Sequence, residues 1–190
     1  TIFKTLDPLM EFKPPFVDVT YHREEFIYNR QNTGYYEKVA IRKRPGTVGI
    51  CAAIMNKYKV DAVPHLICGG FTKEETEDAL FSLYYLGLEN VMILKGDEMG
   101  KSDYHIEDRV NRNVYAIDLV DQVQKMNNGV FCHEETAYEM HTDFCMGVAG
   151  YPEKHFEAPN LNTDLKYLKQ KAMKIIIRIE PFHVKLLVHN

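Results

Sequence analysis

The stretch Asn90-Val-Met-Ile-Leu-Lys-Gly-Asp97 constrains the fold more than any other part of the chain. Four large apolar residues in a row, Val91 to Leu94, do not alternate with polar ones. A strand built from them is therefore covered on both faces, as in parallel sheets flanked by helices. The strand ends on Lys95, Gly96 and Asp97, which place a cation, a flexible link and a carboxylate together. In parallel α/β folds ligands bind at that C-terminal end. A polar loop that merely closes a core strand is the plain alternative, and one strand does not separate the two. Several other strands that end in the same manner favour the functional reading.

Upstream, Ile2, Leu6, Leu9 and Met10 fall at helical spacing, and Lys13-Pro14-Pro15 ends that helix. Phe16 to Tyr21 reads as a strand followed by His22. Residues 23 to 45, polar and aromatic around Gly34, read as an excursion or short hairpin. Thr47 is placed to cap a helix running to Tyr58, with Val48, Cys51, Ala52 and Met55 on one face. Ala62 to Cys68 forms the next strand, and Gly69-Gly70 its turn. Thr72 and Glu75 form a capping box for a helix that buries Ala79, Leu80, Leu83 and Leu86 and stops at Gly87.

Beyond Asp97 an irregular polar segment leads to a helix from about Val114 to Met126, which turns Leu119, Val120 and Val123 inward and breaks at Asn127-Asn128-Gly129. Residues 130 to 142 read as a second excursion. Phe144 to Ala149 is a strand closed by Gly150 to Glu153, Asp164 to Lys171 a short helix, and Ile175 to Ile179 a further strand. This alternation implies right-handed βαβ units and a parallel sheet, in one domain.

With 23 Lys and Arg against 27 Asp and Glu, the net charge of −4 and the scattering of cations exclude a nucleic-acid stripe. No apolar run is long enough to span a bilayer and no leader opens the chain, so a cytoplasmic protein is expected. Cys51, Cys68, Cys132 and Cys145 show no paired spacing and read as thiols of a reducing compartment.

Gathered together, the strand ends supply Thr20, Tyr21, His22, His65, Lys95, Gly96, Asp97, Tyr151, Glu153 and His155. If the strands are parallel neighbours, these groups meet on one rim suited to a polar, planar, phosphate-bearing ligand. The competing metal reading draws on His22, His65, Cys68, His133, Cys145 and His155. Only His65-x-x-Cys68 has ligand spacing, and residues three apart on a strand face opposite ways. A metal-dependent barrel hydrolase using His22, His65 and Glu153 is the corresponding enzyme reading. Serine-hydrolase, Walker and Gly-x-Gly-x-x-Gly motifs are absent.

Five segments, in order, carry a resemblance: Phe16 to His22, Val63 to Cys68, Asn90 to Asp97, Tyr115 to Val120 and Gly147 to Ala158, extended by Asp164 to Lys171. Over residues 5 to 171 the chain resembles the methylenetetrahydrofolate reductases, flavoenzymes of one-carbon metabolism that serve methionine biosynthesis. The resemblance implies a (β/α)8 TIM barrel holding FAD at its C-terminal rim. The reaction it implies passes a hydride from NADH or NADPH to FAD, and thence to methylenetetrahydrofolate to give methyltetrahydrofolate.

Carried over position by position, Thr20, His65, Lys95, Gly96, Asp97, Tyr115, Ala116, Gly150, Tyr151, His155, Asp164 and Lys171 fall in the flavin site. Lys95 stands where the family has Arg, which keeps the charge and loses the bidentate fork. By this resemblance Lys95 and Lys171 neutralise the pyrophosphate and Asp164 accepts from ribose or ribityl hydroxyls. Asp97 is the catalytic candidate: it would disfavour an anionic reduced flavin and stabilise the cationic folate iminium.

Two family features have no match. The glutamate of the first barrel strand is missing, and Glu11 is not assigned its role. From residue 172 to 190 the sequence diverges, so the folate-contacting glutamine has no counterpart. A complete barrel takes about 250 residues. The expectation is thus a single partial barrel over 1–190 with a divergent segment at 172–190, whose exposed edges favour self-association into a homo-oligomer. The alternative function is a catalytically inactive flavin-binding fragment, or a subunit of a split reductase.

Overall fold

The computed structural model describes residues 2–21, 26–40, 45–96, 111–133, 140–176 and 187–188. Among them, α1 (Ile2–Leu9) and a 3-10 turn (Met10–Phe12) lead to β1 (Phe16–Val19). The turn closes on Lys13 at φ 47°, which ends the helix just before the two prolines. A hairpin follows, β2 (Phe26–Arg30) antiparallel to β3 (Tyr36–Ala40), as the polar aromatic stretch suggested. Then come α2 (Thr47–Tyr58), β4 (Asp61–Ile67), α3 (Lys73–Tyr85), β5 (Asn90–Leu94), α4 (Ala116–Asn127), β6 (Cys145–Gly150), α5 (Leu161–Ile176) and β7 (Leu187–Val188).

The main sheet runs β1-β4-β5-β6-β7 with every pair parallel, and no β1–β7 pairing closes it among the described residues. At its centre Val91, Met92 and Ile93 of β5 are all buried, so the non-alternating run is covered on both faces as expected. Leu80 and Leu83 of α3, Leu119, Val120, Val123 and Met126 of α4, and Cys51 and Ile54 of α2 complete the core. Among the described residues no helix is long and apolar enough to cross a membrane.

Four local expectations are corrected. β1 stops at Val19, so Thr20 and Tyr21 lie beyond it. Gly46, not Thr47, is the cap of α2; Thr47 is the first helical residue, and its hydroxyl donates to the carbonyl of Thr20 at 3.5 Å. Leu86 is exposed, being the residue that ends α3 rather than part of its buried stripe. Ile175 and Ile176 are helical, and residues 177–179 lie outside the described set. Leu168 and Ile175 sit seven apart on one helical face against the core. Lys174 pairs with Asp121, and Gln124 Nε2 donates to the Lys174 carbonyl at 2.9 Å. These ties to α4 carry the helix through a run whose β-branched residues favour a strand.

Candidate functional site

The parallel register sets strand ends side by side. The Cys68 N–H donates to the Lys95 carbonyl at 3.2 Å, continuing the β4–β5 ladder one step past the strands. Gly96 then turns the chain at φ 78°, and a Cβ there would lie 3.0 Å from Ile67 Cβ. Conformation and space both demand glycine at this point. At the end of β6, a Cβ on Gly150 would lie 3.2 Å from Leu168 Cδ2, so a side chain there would oblige Leu168 of α5 to shift slightly.

From Gly150 the chain enters a tightly held loop. Lys154 adopts φ 96°, unfavourable for a side chain, and its ammonium donates to the carbonyls of His155 (2.9 Å) and Ala158 (2.7 Å). The His155 ring meets Tyr151 edge-on at 4.8 Å and stacks on Phe156 at 4.8 Å. The His155 N–H donates to Asp164 Oδ2 at 2.8 Å, which ties the loop to the first turn of α5. Asn160 starts that helix, its Oδ1 accepting from the Thr163 N–H at 2.9 Å in the manner of an N-cap.

Three cationic or aromatic groups stand around this loop. Lys95 Nζ donates to both oxygens of Glu157 at 2.6 Å and lies 5.9 Å from the centre of the Tyr115 ring. The Lys95 hydrogen bond holds the Glu157 carboxyl below its usual range. Tyr115, with Ala116 opening α4 behind it, has its N–H fixed by Asp118 Oδ2 at 2.8 Å. Lys171 is half-buried beneath the loop and donates to the Ala149 carbonyl at 3.2 Å. Burial pushes its ammonium pKa down, and the opposing charge of Asp164 pulls it back up.

The structure thus joins Lys95, Gly96, Tyr115, Ala116, Gly150, Tyr151, His155, Asp164 and Lys171 around the ends of β5 and β6. Thr20 sits past the end of β1. His65 lies inside β4 rather than at its end; it is buried, with Nε2 3.7 Å from Asp18 Oδ1 on β1. His22 and the catalytic candidate Asp97 lie outside the described residues. The metal candidates are dispersed: His133 approaches Glu74 on α3, and Cys145 begins β6 opposite Asn90. Among the described residues no group of three or more His, Cys, Asp or Glu could hold one ion. Burial raises the thiols of Cys51, Cys68 and Cys132 to about 12, which makes them poor nucleophiles.

Two concavities lie off the rim. One of about 710 Å³ is lined by Ala52, Asn56, Lys59 and Asp61 near the start of β4, and another of about 630 Å³ by residues of α3, α4 and the segments beside them. Neither includes a rim residue; the rim is marked by the polar and aromatic groups that converge at the strand ends. Sequence reasoning missed Glu157, Lys154 and Asp118. The charged run Lys154-His-Phe-Glu157 beside a strand end was the available signal for the first two.

The chain is a parallel α/β protein with lysines, aromatic rings and a carboxylate gathered at the C-terminal ends of its strands, the end at which α/β proteins of this class bind their ligands. The family model described as methylenetetrahydrofolate reductase matches residues 1–174, and the chain belongs to that family. It is 29% identical over 174 residues to the 5,10-methylenetetrahydrofolate reductase of Pectobacterium carotovorum subsp. carotovorum, covering 90% of this chain and 45% of the relative. With the Escherichia coli K12 enzyme of the same name the identity is 28% over 175 residues, again 90% and 45%. Methylenetetrahydrofolate reductase 1 of Schizosaccharomyces pombe is 30% identical over 126 residues, 66% of this chain and 18% of the relative. The chain therefore spans less than half the length of the curated relatives it matches.

Proposed function

We propose that this chain is the flavin-holding part of a methylenetetrahydrofolate reductase, with FAD across the ends of β1, β4, β5 and β6 in a (β/α)8-type barrel. The observation that carries the reading is the cluster Lys95, Tyr115, Tyr151, His155, Asp164 and Lys171, which has the donor set such a cofactor requires. The ammonium groups of Lys95 and Lys171 suit a diphosphate, the former backed by Glu157 and the latter held on a backbone carbonyl. Asp164, one oxygen of which is engaged by the His155 N–H, suits the hydroxyls of a ribityl or ribose chain. Tyr115, Tyr151 and His155 offer rings to a planar heterocycle.

Bound FAD would supply the hydride chemistry that links NADH or NADPH to methylenetetrahydrofolate. The chain's own part is to bind, orient and bias charge. Asp97, directly after Gly96 in sequence, is assigned the electrostatic role of favouring the cationic folate at the moment of hydride arrival. Lys171, whose ammonium pKa is lowered by burial, would gain an anionic partner when a phosphate enters beside it, which favours its charged form.

The test is the visible absorption spectrum of the purified chain with and without added FAD. The expected result is a retained bound-flavin spectrum, weakened in Lys171→Met and in Asp97→Ala, the latter with reductase turnover lost as well. Flavin bound without turnover in the wild type would mark a cofactor-holding fragment or subunit. A chain that retains no added FAD overturns the proposal.

A further inference from the structure

We propose that Glu157 is a positioning residue that fixes the tautomer of His155, so that the imidazole presents Nε2–H as a donor to the bound cofactor. This rests on the rim being the flavin site and adds a residue that the sequence left without a role. The Glu157 N–H donates to His155 Nδ1 at 3.2 Å. A ring nitrogen that accepts carries no proton, so a neutral His155 keeps its proton on Nε2, at the other edge of the ring. Tyr151 edge-on and Phe156 stacked hold the ring plane, each at 4.8 Å. FAD offers acceptors for such a donor in its carbonyl oxygens, ring nitrogens and phosphate oxygens.

The backbone N–H can set the tautomer only if it stays in place, and the Glu157 side chain secures it. Its two oxygens grip Lys95 at 2.6 Å each, tying the β6–α5 loop to the end of β5. Lys154 holds the same loop from within, through the carbonyls of His155 and Ala158. One residue thereby links the strand-end cation to the imidazole by side chain and backbone at once. The rival role for Glu157 is a latch that competes with the cofactor's phosphates for Lys95, and it predicts the opposite sign for FAD affinity.

The experiment uses the full chain labelled with 15N, at about pH 8 where an ordinary imidazole is neutral. The His155 ring signals are assigned by their loss in His155→Gln. In the wild type they are expected to show the Nε2–H form with a bare Nδ1. In Glu157→Ala, with circular dichroism unchanged, they are expected to move toward a mixture of the two tautomers, and the FAD dissociation constant to rise about fivefold, as for loss of a part-exposed ion pair. Glu157→Gln, which keeps one oxygen for Lys95, is expected to fall between, and it serves in place of Glu157→Ala should that variant not fold. A proton on Nδ1 in the wild type, a tautomer that ignores both substitutions, or tighter FAD binding in either variant overturns the proposal. A wild-type chain that binds no FAD overturns the flavin reading instead, and the tautomer spectra still decide the role of Glu157.

Discussion

Lys171, proposed above to hold the cofactor's diphosphate, illustrates how a residue placed for binding would work against the fold that carries it. Burial lowers its pKa below the ordinary 10.5, so between that lowered value and 10.5 the unfolded chain binds more protons than the folded one. Stability therefore rises with pH across this window, as the folded chain is relieved of a half-buried charge. Lys171→Met is expected to abolish this rise and to leave the melting temperature at neutral pH unchanged or higher. FAD affinity should fall tenfold or more, since a hydrogen bond to a charged group is worth about 1.5–3 kcal/mol. Thermal melts over a pH series, paired with a flavin titration, check both halves. Gly96 shows the reverse case, where fold and site want the same thing. At φ 78° with Ile67 Cβ 3.0 Å from any added Cβ, Gly96→Ala is expected to cost about 1–3 kcal/mol in urea unfolding and to displace the end of β5. Loss of stability with undiminished FAD binding would show that the strand end adapts without disturbing the rim.

At the scale of elements, what was legible in the sequence is what is decided locally. The capping box at Thr72 forms as read, with Thr72 Oγ1 accepting from the Glu75 N–H at 3.1 Å and Glu75 Oε2 from the Thr72 N–H at 2.9 Å. The apolar run of β5 likewise told of burial on both faces. What was not legible depends on groups distant in the chain. Ile175 and Ile176 look like strand residues until Asp121 and Gln124 of α4 hold the last turn of α5. Asn127 reads as a helix breaker, yet its side chain is the anchor for the start of β6. Its Oδ1 accepts from Thr142 Oγ1 at 2.7 Å and from the Phe144 N–H at 2.9 Å, and its Nδ2 donates to the Phe144 carbonyl at 3.0 Å. Asn127→Ala strands three polar groups in a buried setting, each at a cost of about 1–3 kcal/mol. The expected loss is about 3 kcal/mol or more, read as a lower urea midpoint at unchanged m-value.

Across the whole molecule, the rim residues were legible as types at strand ends, but their partnerships were not. Lys95 was readable as a cation, whereas its engagement by Glu157 required the β6 loop to fold back 62 positions along the chain. Tyr115 and Lys171 were assigned to the flavin site only through the resemblance, because neither stands at a strand end. These groups come from β5, α4, the β6–α5 loop and α5, so a cofactor bound to them couples elements that the sheet joins only along its edges. FAD at about 100 times its dissociation constant should therefore stabilise the full chain by about 2.7 kcal/mol. For a chain of this size that corresponds to a rise of about 5–10 °C in melting temperature. Differential scanning calorimetry with FAD, and with ADP as a probe of the diphosphate half alone, measures it. A smaller rise with ADP is expected, since only the lysine side of the rim is then engaged. A folded chain whose melting is indifferent to both would mean that the strand ends do not act together as one binding surface.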